Sequence, residues 1–191
     1  MLKTTVLLGS VRRDRVGIKP AEYLVKQCQS RGHEVTFLDP QEYQLPLLDR
    51  MYKEYEPGQA PEVMEKMAQI IKASDAFIVC SAEYNHSMPP ALTNMIDHFL
   101  EEWFFRPSGI VSYSVGGFGG VRAAMQLRVL LGEIGTVSIP SILSFPKVQD
   151  LFDDQSNPTN EKTNEFTSRF LNELEWYANA LKAARADGTP Y

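Results

Sequence analysis

The chain has 191 residues and a formal net charge of −5 at pH 7; hydrophobic residues make up 43% of it and charged residues 23%. This balance is typical of soluble globular proteins, and the length suits one domain over residues 1–191 that buries roughly 70% of its unfolded-chain surface. The acidic charge disfavours general binding to nucleic acid or to anionic membranes, so we expect a small-molecule partner.

The cysteine and histidine spacing predicts no metal site. The two cysteines, Cys28 and Cys80, form neither a metal motif nor a disulfide framework, and His33 and His98 are not spaced with carboxylates as ligands.

No apolar run approaches the roughly 18 residues of a membrane span, and Met1 leads into the first strand without room for a signal peptide. We therefore expect a reducing, cytoplasmic location.

Strand and helix patterns alternate along the chain. The first strand is a short apolar run that Gly9 and Ser10 terminate, and apolar residues at helical spacing follow it. By the same criteria the strands are predicted at residues 6–8, 34–38, 76–80, 109–113 and 136–139. The helices are predicted at residues 16–29, from Pro61 through Ile71, and at 91–100, 121–131 and 160–184.

The alternation predicts an α/β fold. Five strands and five helices imply a parallel sheet covered on both faces, with right-handed crossovers. The loop between the first strand and the first helix carries Ser10 and three arginines, a composition that suits phosphate, and this favours a flavodoxin-like three-layer sandwich with strand order 2-1-3-4-5. The irregular segment 41–61 is either an ordered crossing loop that contributes to a pocket wall or subunit contact, or a plain surface loop.

The loop after the first strand carries the first candidate site, with Ser10, Arg12, Arg13 and Arg15 in the turn before the helix. A hydroxyl, guanidinium groups and free backbone N–H groups at a helix N-terminus form an anion site, most simply for a phosphate dianion. A Walker motif, a G-x-G-x-x-G motif and a phosphatase cysteine are all missing, which leaves a mononucleotide phosphate loop of the flavodoxin kind. Alternatively, the arginines are only a solvated loop surface.

Two further unusual loops follow the third and fourth strands. Residues 82–90 combine amide, hydroxyl and aromatic groups with two prolines, which suits either a planar ring held edge-on or a rigid turn. Four glycines between Gly116 and Gly120 either admit a flat ligand close to the backbone or form a flexible hinge. In the predicted strand order all three loops meet at the carboxyl edge of the sheet, where ligands bind.

Three runs of the sequence carry a family resemblance: GSVRRDRVG, AEYNHSMPPALTNMIDHF, and EEW followed by RPSGIVSYSVGGFGGVRAAMQLRVLLGEIG. Over residues 6–146 they resemble the NADPH-dependent FMN reductase family of flavodoxin-like oxidoreductases. The resemblance implies bound FMN, with its phosphate held by Ser10, Arg12, Arg15 and the turn through Val16, its isoalloxazine by Ala82, Glu83, Tyr84 and Asn85, and its pyrimidine end by the loop with Ser114, Gly116 and Gly117. Many members have serine and asparagine where this chain has Arg15 and Gly17, which implies more guanidinium and fewer hydroxyl contacts to the phosphate.

The resemblance also implies an activity. NADPH passes a hydride to flavin N5 and leaves, and a quinone, azo compound, free flavin or other small acceptor then takes the electrons. No catalytic side chain is required, and His86 is either a proton donor or a local hydrogen-bonding residue. The alternative is a non-enzymatic FMN protein, an electron carrier or redox-sensing partner, although a charge of −5 is mild for the acidic docking face of a carrier.

The third helix and its continuation, residues 92–105, predict self-association. They carry more apolar positions than one core-facing stripe requires, namely Met95, Ile96, Phe99, Leu100, Trp103, Phe104 and Phe105. The family resemblance implies a homodimer or homotetramer whose shared edges complete the flavin pocket. Alternatively, the aromatic residues cap the chain's own sheet.

Overall fold

The computed structural model describes residues 1–191 and contains a five-stranded sheet with helices on both faces. The strands are β1 (Lys3–Leu8), β2 (Glu34–Leu38), β3 (Ala76–Ala82), β4 (Pro107–Tyr113) and β5 (Val137–Phe145). The helices are α1 (Ile18–Ser30), α2 (Glu62–Ala73), α3 (Pro90–Asp97), α4 (Val121–Glu133), the short α5 (Val148–Leu151) and α6 (Glu161–Ala186). None of these helices has both the length and the apolar character needed to cross a membrane.

All neighbouring strands are parallel, in the order β2-β1-β3-β4-β5, which confirms the predicted flavodoxin-like topology. The three middle strands are buried on both faces, so their side chains alternate between two separate cores. In β1, Val6 and Leu8 face the core under α1 and α6, whereas Leu7 faces the core under α2, α3 and α4.

Strand β5 is longer than predicted. The predicted strand stops at residue 139, directly before Pro140, but the strand runs on to Phe145, with a register shift opposite Ser108 and Ile110 of β4. Because proline has no N–H to donate, it interrupts the ladder, and β5 tolerates this as an edge strand. The Arg128 guanidinium donates to the carbonyl oxygens of Ile139 at 2.9 Å and Pro140 at 3.0 Å, which supplies partners that the ladder lacks there.

Helix α3 ends earlier than predicted, and four of the seven apolar side chains of its predicted surplus are buried within the chain, whereas Leu100, Phe104 and Phe105 are half-buried. The chain leaves the helix after Asp97 and turns through a 3₁₀ segment, Glu101–Trp103. Met95, Ile96, Phe99 and Trp103 are each 1% exposed. They belong to the core under α2 and α4, so these four side chains do not themselves require a second subunit.

The segment between β2 and α2 is an ordered crossing loop. The Tyr52 N–H donates to the His98 carbonyl at 2.8 Å, and the Asn94 side chain holds Pro46 and Leu48 through two hydrogen bonds of 2.8 and 2.9 Å. The loop also forms one wall of a 340 Å³ cavity whose opposite wall is α3. Of the two interpretations of this segment, the pocket wall is the one that the structure supports.

The contact between α6 and β4 depends on Gly109, because a Cβ at this position would lie 2.4 Å from the Phe170 ring. We expect Gly109→Ala to lower the free energy of unfolding by about 1–3 kcal/mol through overpacking. Gly132 near the end of α4 is a matched control, since a Cβ there meets nothing within 4 Å. Gly132→Ala should raise the free energy of unfolding by about 0.5–1 kcal/mol. Urea unfolding followed by circular dichroism measures both, and equal effects would contradict this packing.

Candidate functional site

The loops after β1, β3 and β4 converge at the carboxyl edge of the sheet. Leu8 of β1 pairs with Cys80 of β3, and Ala82 of β3 pairs with Tyr113 of β4, so the three strands end close together. The Gly9 N–H then donates to the Cys80 carbonyl at 2.9 Å, which fixes the start of the first loop. Between the loops lies a cavity of 220 Å³ lined by Ser10, Arg12, Asp14, Arg15, Val16, Gly17, Ala82, Glu83, Tyr84, Tyr113, Ser114 and Val115.

The loop after β1 carries unused backbone donors, and residues 14–17 of this loop line the cavity. None of the N–H groups of residues 13–17 donates to a backbone carbonyl. They precede α1 directly, where the helix dipole is positive. Successive free N–H groups at a helix N-terminus bind anions, since they provide hydrogen bonds and positive potential together. The backbone of this loop thus has the free donors and the positive potential that an anion site needs.

Arg15 is not a free cation. Its guanidinium donates to the Ser10 carbonyl at 2.7 Å and to Asp39 Oδ1 at 2.6 Å, and it forms a second bond to Asp39 Oδ2. The Arg15 side chain is 10% exposed and that of Asp39 is 8% exposed, so this bidentate pair is largely buried. The pair joins the loop after β1 to the end of β2, and its net charge is zero.

Arg12 and Arg13 are exposed and lack an acidic partner. Of these two, only Arg12 lines the cavity. Because the charge of Arg15 is neutralised by Asp39, Arg12 is the available cation of the site. Asp14, also exposed, lines the same cavity and places a negative charge near its rim.

Two hydroxyl groups join the first and second loops. Ser10 Oγ and the Tyr84 hydroxyl share a hydrogen bond of 2.6 Å, and the Ser10 side chain is buried. The second loop then turns back in a tight hairpin in which Tyr84 and Ser87 exchange two backbone hydrogen bonds of 2.9 Å. Asn85 and His86 occupy the turn with φ of 51° and 62°, values typical of type I′ turns.

Helix α4 holds this hairpin in place. The Gln126 side chain donates to the His86 carbonyl at 2.8 Å and accepts from the Ser87 hydroxyl at 2.7 Å. Glu83 Oε2 accepts from the N–H groups of Arg122 at 3.0 Å and Ala123 at 3.3 Å. Glu83 therefore caps the N-terminus of α4, where a carboxylate is favourable to the helix dipole.

The glycine loop after β4 is fixed at its end and exposed at its tip. Gly120 has φ of 77°, and a Cβ there would lie 2.8 Å from the Tyr113 carbonyl oxygen, so glycine is required for conformation and for space. Gly116 and Gly117 are exposed and lie outside the cavity lining. Ser114 and Val115 form the part of this loop that reaches the cavity.

Eight of the eleven predicted site residues line the cavity: Ser10, Arg12, Arg15, Val16, Ala82, Glu83, Tyr84 and Ser114. The other three, Asn85, Gly116 and Gly117, are exposed and do not line the cavity. Sequence reasoning missed four lining residues, Asp14, Gly17, Tyr113 and Val115. All four directly adjoin predicted residues in sequence, but Tyr113 lies inside the predicted fourth strand and has the pattern of an ordinary buried strand residue.

Tyr113 is 4% exposed, and its hydroxyl has no hydrogen-bond partner. Burial raises the pKa of this hydroxyl well above its usual value, so the group remains a protonated donor. A buried hydroxyl without a partner costs about 1–3 kcal/mol, which makes its position beside a cavity informative.

Comparisons with known proteins agree with this geometry. The model of the family described as NADPH-dependent FMN reductase matches residues 2–150. The chain is 30% identical over 143 residues to an NAD(P)H-dependent FMN reductase of Saccharomyces cerevisiae, covering 68% of this chain and 73% of that protein. It is 29% identical over 189 residues to a quinone reductase of Pseudomonas putida, covering 95% of both.

A solved structure of the flavoenzyme NAD(P)H:(acceptor) oxidoreductase FerB of Paracoccus denitrificans superposes with a TM-score of 0.73. The two chains are 24% identical, and the match covers 96% of this chain and 98% of the other. A mutant flavodoxin of Pseudomonas aeruginosa gives a TM-score of 0.56 at 20% identity, covering 95% and 99%. At these identities the structural matches establish the flavodoxin-like fold.

The buried Arg15–Asp39 pair predicts a large stability effect. Asp39→Ala leaves the Arg15 guanidinium buried without its counter-charge, and we expect the free energy of unfolding to fall by about 3 kcal/mol. Arg12→Ala is the matched control, because Arg12 is exposed and unpaired, and should change it by less than about 0.5 kcal/mol. Urea denaturation of both variants without ligand measures the difference. A similar small effect for both would mean that the pair does not hold the loop.

Proposed function

This chain belongs to the NADPH-dependent FMN reductase family, and from the geometry of its site we propose that it is an FMN-dependent NAD(P)H oxidoreductase that reduces quinones, azo compounds, free flavin or similar small acceptors. The observation that carries the proposal is the cavity between the three loops, with free backbone N–H groups on one side and an aromatic hairpin on the other. We also propose a reducing, cytoplasmic location, because Cys28 and Cys80 are both free and buried.

The residues present fit the phosphate end of FMN. A phosphate dianion needs several hydrogen-bond donors and a positive potential. The N–H groups of residues 14–17, the N-terminus of α1 and the Arg12 guanidinium provide these on the side of the cavity formed by the first loop. The buried, unpartnered Tyr113 hydroxyl is a further donor without an acceptor.

The cavity is too small to enclose the whole cofactor. Its 220 Å³ is below the roughly 300–1,000 Å³ of pockets that enclose a whole ligand, so it suits the phosphate and the adjoining ribityl chain. The isoalloxazine then has the loops at the mouth as neighbours, namely the hairpin with Tyr84 and Asn85 and the glycine loop after Ser114. The exposed tip at Gly116 and Gly117 has no side chain that would obstruct a flat ring.

The chain supplies binding and orientation, and bound FMN supplies the two-electron chemistry between NADPH and the acceptor. Glu83 and Gln126 fix the hairpin to α4, so its backbone groups have one position against the ring. Val115 is 63% exposed and Asn85 is exposed, which leaves the mouth open to solvent. NADPH and then a small acceptor can use this opening in turn.

Anaerobic mixing of the FMN-loaded protein with NADPH tests this function. We expect the visible flavin absorption band to bleach, and to return when a benzoquinone is added, because the reductant and the acceptor reach the same open site. NADH in a parallel experiment measures the preference between the two nucleotides. Dithionite is the control that shows the bound flavin is reducible. A flavin that dithionite bleaches but NADPH leaves unchanged over minutes would indicate an electron carrier or redox sensor instead.

We propose a homodimer, or a tetramer built from such dimers, but with an interface other than α3. Helix α4 and the loop before it carry an exposed apolar stripe at helical spacing, Phe118, Val121, Met125 and Val129, which are 67%, 39%, 50% and 75% exposed. This α4 stripe begins beside the flavin loops, since Arg122 at its start contacts Glu83 at 3.6 Å. Contiguous exposed apolar side chains of this kind are typical of protein interfaces.

Light scattering tests this association. We expect the wild-type mass to be at least twice the 21.6 kDa of one chain, and Val129→Glu to reduce it because a buried charge opposes association. Phe166→Glu is the control, since Phe166 is 58% exposed on α6, on the opposite face of the sheet, and should leave the mass unchanged. A wild-type mass of one chain, with FMN bound and NADPH oxidation intact, would show that the site needs no second subunit.

A further inference from the structure

Tyr113 lines the cavity, and the rest of the chain provides no hydrogen-bond partner for its buried hydroxyl. In the whole chain only two buried side-chain polar atoms lack a hydrogen-bond partner, the Tyr113 hydroxyl and Thr167 Oγ1. Of the two, only Tyr113 lines the cavity between the three loops. Ser10 of the first loop lies close enough to influence Tyr113, but its hydroxyl shares its hydrogen bond of 2.6 Å with Tyr84. The Tyr113 donor is therefore available to a molecule in the cavity.

The position of this hydroxyl is defined by Gly17, the N-cap residue of α1. A Cβ on Gly17 would lie 1.9 Å from the Tyr113 oxygen, so the hydroxyl occupies the space in which a side chain at position 17 would begin. The φ of Gly17 is −65°, which every residue adopts easily, so its backbone conformation does not require glycine. Glycine is needed here only to admit Tyr113.

We propose that the Tyr113 hydroxyl donates a hydrogen bond to the phosphate of FMN, and supplies from β4 the side-chain donor that Gly17 cannot supply from the loop. This inference rests on the proposed function. Tyr113 shares the cavity with Ser10, Val16 and Gly17 at the N-terminus of α1, where an anion is favoured. Tyr113 is 4% exposed, and its hydroxyl lies against Gly17 at the start of α1, so it faces the anion end of the cavity.

Tyr113→Phe tests the inference, because it removes the hydroxyl and keeps the ring. We expect the dissociation constant for FMN to rise about ten- to a hundredfold, the range for a hydrogen bond to a charged group. Riboflavin, which lacks the phosphate, should bind as it does to the wild type. The midpoint of thermal unfolding of the apoprotein should stay the same or rise, because the variant removes a buried donor that has no partner.

Two further variants make the result specific. Tyr52→Phe is the matched control, since the Tyr52 hydroxyl donates to Glu65 at 2.8 Å and does not line the cavity; it should leave binding of both flavins unchanged. Arg12→Ala is the reference for a lost phosphate contact, and should weaken FMN binding without affecting riboflavin. Fluorescence titration of the apoproteins measures these constants.

Three outcomes would overturn the inference. Unchanged FMN affinity in Tyr113→Phe would mean that the hydroxyl makes no contact. Equal losses for FMN and riboflavin would place the contact on the ribityl chain or the ring. Lower apoprotein stability together with weaker binding of both flavins would assign Tyr113 a structural role. A wild-type protein that does not bind FMN at all would be distinguishable from these results, and would refute the proposed function along with the inference.

Discussion

The parallel pairing of β1, β3 and β4 is the constraint on which the site depends. Parallel strands carry all their carboxyl ends to one edge, so loops that are about 70 and 30 residues apart in sequence become neighbours. These strands are buried on both faces, and a slip of one residue would exchange their side chains between the two cores. The same packing that fixes the register therefore also fixes the distance between the loops.

The charged residues around the cavity have two different tasks. Arg15 and Glu83 hold structure: one neutralises Asp39 beside β2, and the other caps α4. In the proposed site, an anion is recognised by backbone N–H groups, by neutral hydroxyls and by the exposed Arg12. Backbone donors are fixed by the fold and need no reorganisation when a ligand binds, so a site of this composition is pre-organised.

The fold was largely predictable because strand and helix patterns in this chain are distinct, and because few strand orders are compatible with a phosphate loop after β1. The misjudged elements have identifiable causes. Pro140 is a reliable terminator inside a sheet but not at an edge, and the apolar residues of α3 are neighbours in sequence that α2 and α4 cover only after folding. Whether an apolar surface is exposed or buried depends on contacts between residues far apart in sequence. Sequence periodicity carries no information about those contacts.

The site was predictable to the level of loops and less so to the level of atoms. Arg12 and Arg15 are the same residue type three positions apart, and only the position of Asp39, 24 residues from Arg15, decides which of them is free. Tyr113 has the apolar bulk expected of a buried strand residue, so its function depends on where one hydroxyl lies relative to Gly17. Such information arises from tertiary contacts and becomes visible only in the folded chain.

Helix α4 connects the hydrophobic core, the hairpin after β3 and the exposed α4 stripe. One face of the helix packs Ala124, Leu127 and Leu131 into the core, and its first two turns anchor the hairpin through Glu83 and Gln126. The hairpin needs this support, because Asn85 and His86 adopt positive φ values that isolated residues of these types populate sparsely. The outer face of the same helix is the α4 stripe. A second subunit that covers this stripe would restrict the helix that positions the hairpin, and the proposed association would then be coupled to the geometry of the site through one element.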